Sequence, residues 1–211
     1  GCEVNLQTAI AHCGACGRTC APANAAATCA AGACGYTTCN AGFADCDGNR
    51  ANGCEVNLGA DPSNCGRCGA ACAPANATPA CAAGVCGYGI CNAGFGDCDG
   101  NRANGCEVDV RTAVAHCGAC GRTCAPANAA ASCAAGVCGY TACTAGFADC
   151  DGNRANGCEV DVRTTVAHCG ACGRTCAPAN ATPACAAGAC GYGACNAGFA
   201  DCDMNPANGC E

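Results

Sequence analysis

The sequence predicts small disulfide-rich repeats with short β-hairpins, much coil and little helix, stacked into an elongated rod or filament. Three observations carry this. The string GCEV occurs at Gly1, Gly53, Gly105 and Gly157, and GCE again at Gly209, so the chain is a tandem array with a period of 52 residues. Cysteine occurs 33 times in 211 residues, far above the level at which a disulfide scaffold becomes the first expectation. Bulky apolar residues are scarce: hydrophobic types make up 51% of the chain, yet there is no Trp, one Met, four Tyr and four Phe. So few large groups cannot enclose a core for a chain this long, and covalent or metal staples have to stand in for one.

The repeats run over residues 1–52, 53–104, 105–156 and 157–208, with 209–211 opening a fifth. The first carries Cys2, Cys13, Cys16, Cys20, Cys29, Cys34, Cys39 and Cys46, and the later repeats carry the equivalents. Neighbours are joined directly through DCDGNRANGCEV, with no Ser/Gly or Pro-rich linker. A linear stack with nearest-neighbour contacts is therefore expected. Inside a repeat, APANAAA from Ala21 supports at most a short turn of helix, because Pro22 and Asn24 interrupt it. CAAGACGYTTCNAGFADC, from Cys29 to Cys46, reads as two or three very short strands with tight turns at Gly32 and Gly42. Tyr36 and Phe43, with Tyr88 and Phe95, Tyr140 and Phe147, and Tyr192 and Phe199, are expected to supply the aromatic packing.

The triplet in HCGACGRTCAP, from His12 to Pro22, admits three chemistries. An iron–sulfur run of the bacterial ferredoxin kind needs C-x2-C-x2-C-x3-C-P, and here one ligand and the step are missing. Zinc needs four ligands in a tetrahedron. Cys13, Cys16, Cys20 and His12 offer four, but the second repeat has Asn64 where the others have His12, His116 and His168. Disulfides fit an even cysteine count per repeat and Gly- and Asn-rich turns between the cysteines. Each bridge over a loop of ~15 residues contributes ~3 kcal/mol in the chain-entropy account. Disulfides are the expectation, with the pairing open, since eight cysteines allow 105 arrangements. CNAGFADC, Cys39 to Cys46, resembles the last bridged loop of an EGF-like module, and Cys46 to Cys54 across the repeat boundary is the rival. Haem attachment needs C-x-x-C-H, which the chain lacks. No cofactor is required; calcium is the one candidate.

That candidate lies in DCDGNRANGCE. Asp45, Asp47 and Asn49 offer oxygens at alternate positions, followed by Asn52 and Glu55; the sets recur as Asp97, Asp99, Asn101, Asn104 and Glu107, and as Asp149, Asp151, Asn153, Asn156 and Glu159. The spacing departs from a calcium loop at its sixth residue, Arg50, and at Glu55, so an Asx turn closed by flanking cysteines competes with a metal site. Asn76-Ala77-Thr78 and Asn180-Ala181-Thr182 are candidate glycosylation sequons; Asn24 and Asn128, at the same repeat position, are not.

Composition excludes several function classes. All nine basic residues are Arg and the net charge is −7, which argues against nucleic acid and against docking on anionic lipid. No apolar run approaches the ~18 residues of a membrane span. Serine occurs only at Ser63 and Ser132 and Lys is absent, so no nucleophile–base–orienter set assembles and no enzyme is expected. Starting at Gly1 and ending inside a motif, the chain reads as a window of a longer mature protein.

The pattern NGCEV…CGxCGxxC…CxxGxC…CxxGFxDCDG, which covers the whole chain, resembles the cysteine-rich tandem repeats of secreted or cell-surface proteins of myxobacteria and related bacteria. The resemblance implies an extracellular or cell-surface location and no particular activity. An extracellular structural fibre is the expectation, with neighbouring repeats or copies of the chain as partners. A calcium-stiffened adhesin stalk is the alternative, and metal–thiolate storage the third.

Overall fold

The computed structural model describes residues 3–211, so Cys2 lies outside the described residues. The chain divides into two compact units, Gly1–Glu107 and Val108–Glu211. The first holds β1 (Ala25–Ala30), β2 (Ala33–Cys39), β3 (Phe43–Ala44), β4 (Val56–Asn57), β5 (Ala77–Ala82), β6 (Val85–Cys91) and β7 (Phe95–Gly96). The second holds β8 (Val108–Asp109), β9 (Ala129–Ala134), β10 (Val137–Cys143), β11 (Phe147–Ala148), β12 (Val160–Asp161), β13 (Ala181–Ala186) and β14 (Ala189–Cys195). Helix among the described residues is confined to 3-10 turns of three residues at Ile10–His12, Val114–His116 and Val166–His168.

Each repeat is built on one antiparallel hairpin: β1–β2, β5–β6, β9–β10 and β13–β14. The two turn residues Ala31 and Gly32 have φ of 52° and 76°. Positive φ at both central positions marks a type I′ turn, whose twist matches that of the flanking strands. APANAAA, expected to give at most a helical turn, instead feeds β1. Pro22 has no amide hydrogen to donate, and Asn24 takes φ 48° and turns the chain into the strand. Alanine's preference for helix yields here to cross-strand pairing and to two bridges, Cys13–Cys29 and Cys20–Cys34, that pin both strands.

The same four pairings recur. Cys13–Cys29, Cys20–Cys34, Cys39–Cys54 and Cys46–Cys68 close sequence separations of 16, 14, 15 and 22 residues. The second unit repeats them as Cys117–Cys133, Cys124–Cys138, Cys143–Cys158 and Cys150–Cys172. Neither Cys39–Cys46 nor Cys46–Cys54 forms. Cys39 ends β2 beside the returning Cys54, which leaves Cys46 to reach past it to the loop of the next repeat. Cys195–Cys210 continues the pattern, so Cys210 is paired.

The interior is made of these sulfurs. Cys54, Cys106 and Cys158 are 0% exposed, and Ala181 is the one residue of the buried hydrophobic set that is not a half-cystine. Pro22, Pro74, Pro126 and Pro178 are buried beside them. By contrast Val85 and Ile90 stand 70% and 71% exposed on their hairpin. The expected aromatic packing takes another form. The guanidinium of Arg50 lies 4.7 Å from the Tyr36 ring centre, and Arg163 lies 5.1 Å from Phe147.

GCEV opens the sequence period but is fastened to the preceding repeat. Cys54 N–H donates to Ala23 C=O, the Asn24 side chain donates to Cys54 C=O, and β4 pairs with β3. Cys39–Cys54 adds the covalent tie. The division between the two compact units accordingly falls after GCE, at Glu107. Gly53, at φ 101°, brings its backbone so close to Ala23 that a Cβ would lie 2.3 Å from the Ala23 nitrogen. No side chain fits there, so Gly53→Ala should destabilise the first repeat joint by more than ~3 kcal/mol, through backbone strain plus a rigid clash. Thermal unfolding of the variant against the parent checks this, with Gly48→Ala, whose Cβ meets nothing within 4 Å, as the milder control.

Candidate functional site

The DCDGNRANGCE loop sits where one repeat is fastened to the next. β3 leads into it, β4 leads out, and the Cys39–Cys54 and Cys46–Cys68 bridges bracket it. The fold brings Asp45, Asp47 and Glu55 together so that one carboxylate oxygen of each lies within 4.8 Å of the others. Asp97, Asp99 and Glu107 do the same, as do Asp149, Asp151 and Glu159, and Asp201, Asp203 and Glu211. Two oxygens on opposite sides of one calcium ion are ~4.8 Å apart, so the triad is of a size that a divalent cation fits.

The protein's own donors also serve these carboxylates. Asp45 accepts from Tyr36 O–H (2.9 Å) and Gly48 N–H (2.6 Å). Asp47 accepts from Asn49 N–H (2.8 Å) and the Asn52 amide (2.9 Å), and Glu55 accepts from Cys46 N–H (2.9 Å). Asn49 Oδ1 in turn accepts from Ala51 N–H. The two asparagines expected as ligands, and their counterparts Asn101, Asn104, Asn153 and Asn156, thus close the turn. The acidic residues alone form the triad. In the fourth repeat Met204 stands in the place of Gly48 at φ 59°, and Asp201 Oδ1 is buried without a hydrogen-bond partner.

These contacts set the charge states. The Asn49 N–H foremost, then the Asn52 amide, holds Asp47 below the ordinary carboxylate value of 3.8, and Asp99 and Asp151 follow through Asn101 and Asn153. The hydrogen bond to Asp45 foremost, then desolvation, pushes the Tyr36 hydroxyl above 10.0, and Tyr88, Tyr140 and Tyr192 follow through Asp97, Asp149 and Asp201.

The CGxCGxxC loop is anchored differently. Cys13 and Cys20 bind Cys29 and Cys34, so two of the triplet's three sulfurs are consumed in bridges and are not metal ligands. Cys68 and Cys172, the middle cysteines of the second and fourth repeats, reach back to Cys46 and Cys150. His12 turns out to be a backbone anchor: Gly17 N–H donates to its Nδ1 at 2.8 Å, and Gly121 and Gly173 donate to His116 and His168. Asn64 Oδ1 accepts from Gly69 N–H in the same way. What all four repeats keep at this position is an acceptor atom.

The sequon residues Asn76 and Asn180 donate through Nδ2 to Cys106 C=O and Cys210 C=O, as Asn24 and Asn128 donate to Cys54 and Cys158. All four take positive φ. This role accounts for asparagine at the position with or without a sequon. Comparison with protein-family models, with curated proteins and with solved structures finds no match.

Two predictions follow from this geometry. The depressed aspartates contribute stability that is present above pH 3.8 and lost as pH falls through their lower folded values; the raised tyrosines contribute stability that is present below pH 10.0 and lost as pH climbs through their higher ones. Ultraviolet titration of the folded protein should therefore show all four tyrosines ionising above pH 10.0, with Asp45→Asn returning Tyr36 toward that value. Asn24→Ala and Asn76→Ala should each cost ~1–2 kcal/mol in thermal or denaturant unfolding, equally with and without the sequon, because each leaves a half-buried carbonyl unpaired.

Proposed function

We propose that the protein is an extracellular structural protein in which 52-residue repeats are stapled by disulfides into a fibre. The observation that carries this is the bridge from one repeat into the next, Cys46–Cys68, repeated as Cys150–Cys172, beside Cys39–Cys54 and Cys143–Cys158, which tie each GCE segment to the repeat before it. The connection between these successive repeats is thereby covalent at two places, counting the backbone. Bridges at this density persist only in an oxidising compartment, and no helix among the described residues is long and apolar enough to cross a membrane. A chain whose interior is mostly sulfur and proline is built to hold its shape against pulling and proteolysis. Its partners are further repeats or copies of itself. The repeat pattern's resemblance to secreted cysteine-rich arrays of myxobacteria supports the same reading.

Tryptic mapping tests it, since all cleavage falls at arginine. Cuts at Arg18, Arg50, Arg67 and Arg102 without reduction should leave peptides 19–50, 51–67 and 68–102 joined in one species, which Cys13–Cys29 and Cys91–Cys106 also tie to 1–18 and to the peptide bearing Cys106, and reduction should release them all. Separate peptides with alkylatable thiols before reduction would sink the stapled-fibre reading.

A second reading, a calcium-stiffened adhesin stalk, is favoured by the carboxylate triads alone. On that reading calcium should raise the melting temperature and chelation reverse it. At a hundredfold excess over Kd the gain is ~2.7 kcal/mol per independent site. A melting curve that does not respond to calcium leaves the triads as turn-closing groups.

A further inference from the structure

We infer that His168, which precedes the CGxC loop of the fourth repeat, is a pH-sensitive latch on the joint with the third, and that Asn64 is its pH-insensitive counterpart in the second. Three observations carry this inference. First, the latch has one geometry: Gly173 N–H donates to His168 Nδ1 at 2.9 Å, five residues on, and Gly69 N–H donates to Asn64 Oδ1 at 2.8 Å. Second, the held glycine follows directly on the cysteine that ties its repeat to the one before. Gly173 follows Cys172, bridged to Cys150, and Gly69 follows Cys68, bridged to Cys46. Third, the second repeat has rebuilt its surroundings around the asparagine. Asp61 appears there at a position that is Ala9, Ala113 and Thr165 elsewhere. It accepts from the Asn64 amide at 2.8 Å and from Ser63 N–H at 2.8 Å. This fixes the asparagine with its oxygen toward Gly69, and no 3-10 turn forms in that repeat.

The chemistry separates the two latches. A neutral imidazole can accept at Nδ1 and carry its proton on Nε2, whereas the imidazolium ion has donors at both nitrogens. Protonation therefore turns the contact with Gly173 N–H into donor against donor, and the loop must move. A carboxamide oxygen has no such change, and histidine is the side chain whose ordinary charge change falls between about pH 5 and 8. The charged groups on the elements around His168 are Arg174 in its own loop, the Asp161–Arg163 ion pair upstream of the turn, and Asp149 and Asp151 flanking Cys150. Strand β13, which packs against the turn, carries none. Among the described residues no carboxylate forms an ion pair with the imidazole. Mild acid thus frees the loop that bears Cys172 while Cys150–Cys172 stays closed, and leaves the loop that bears Cys68 in place. The joints of one chain differ in their response to acid.

The test is amide hydrogen exchange by nuclear magnetic resonance on the intact, oxidised chain, with each rate divided by its unstructured value at the same pH. Between about pH 7.5 and about pH 5.5, protection at Gly173 should fall about tenfold, the worth of one hydrogen bond, in step with the His168 ring signals. Gly69 should hold. His168→Asn should abolish the fall at Gly173, and Asn64→His should install one at Gly69. Constant protection at Gly173, an equal fall at Gly69, or a fall that persists in His168→Asn would each overturn the inference.

Discussion

A half-cystine can be buried at almost no cost in side-chain entropy once its partner is in place, and this chain depends on that. Alanine and glycine supply too little area for hydrophobic burial to offset chain entropy. The sulfurs therefore do two jobs at once. They are the atoms taken out of water, as Cys54, Cys106 and Cys158 show at 0% exposure, and they restrict the unfolded chain, by ~3 kcal/mol per loop of this length. Hairpins with strands of six and seven residues and no sheet around them would be marginal alone. Bridged at Cys29 and Cys34, on facing positions of the two strands, they are held from either side.

The same economy explains the joint. Little side-chain volume is available to pack one repeat on the next, so backbone takes its place. Gly53 lets the GCE segment lie directly on Ala23, and the amide of Asn24 reaches over to bind it. The acidic loop that follows β3 is shaped by its own amides, and this places three carboxylates together at every joint. Their mutual repulsion is offset by donors from Tyr36, Gly48, Asn49, Asn52 and Cys46. Where Met204 replaces the glycine, one of those acceptors is left without a partner.

Sequence pattern made much of this legible. The 52-residue period, the hairpin with its Ala-Gly turn, the near absence of helix and the use of cysteines as staples all follow from residue types at short range. The acidic loop was legible as a unit, and so was the competition within it between turn and metal site. The roles of individual residues were less so. Asn49 and Asn52 carry the same oxygen atoms whether they bind a cation or cap an amide, and only their orientation tells which. His12 offered a fourth ligand to the Cys13, Cys16 and Cys20 triplet only on a reading that Asn64 in the second repeat already argued against; its partner, Gly17 N–H, has no side chain to announce it.

What the sequence determined by itself was the inventory: how many staples, how many hairpins, where the chain must turn, and that no conventional core is possible. What the tertiary structure decided was who meets whom. All cysteines are chemically alike, so composition and spacing cannot prefer Cys46–Cys68 over Cys46–Cys54. That choice is made by β2 and the returning GCE segment, which bring Cys39 against Cys54 first. For the same reason the division between the two compact units falls after GCE and not before it. Periodicity reports only the length of a repeat, whereas its ends are set by long-range contacts that no local pattern encodes.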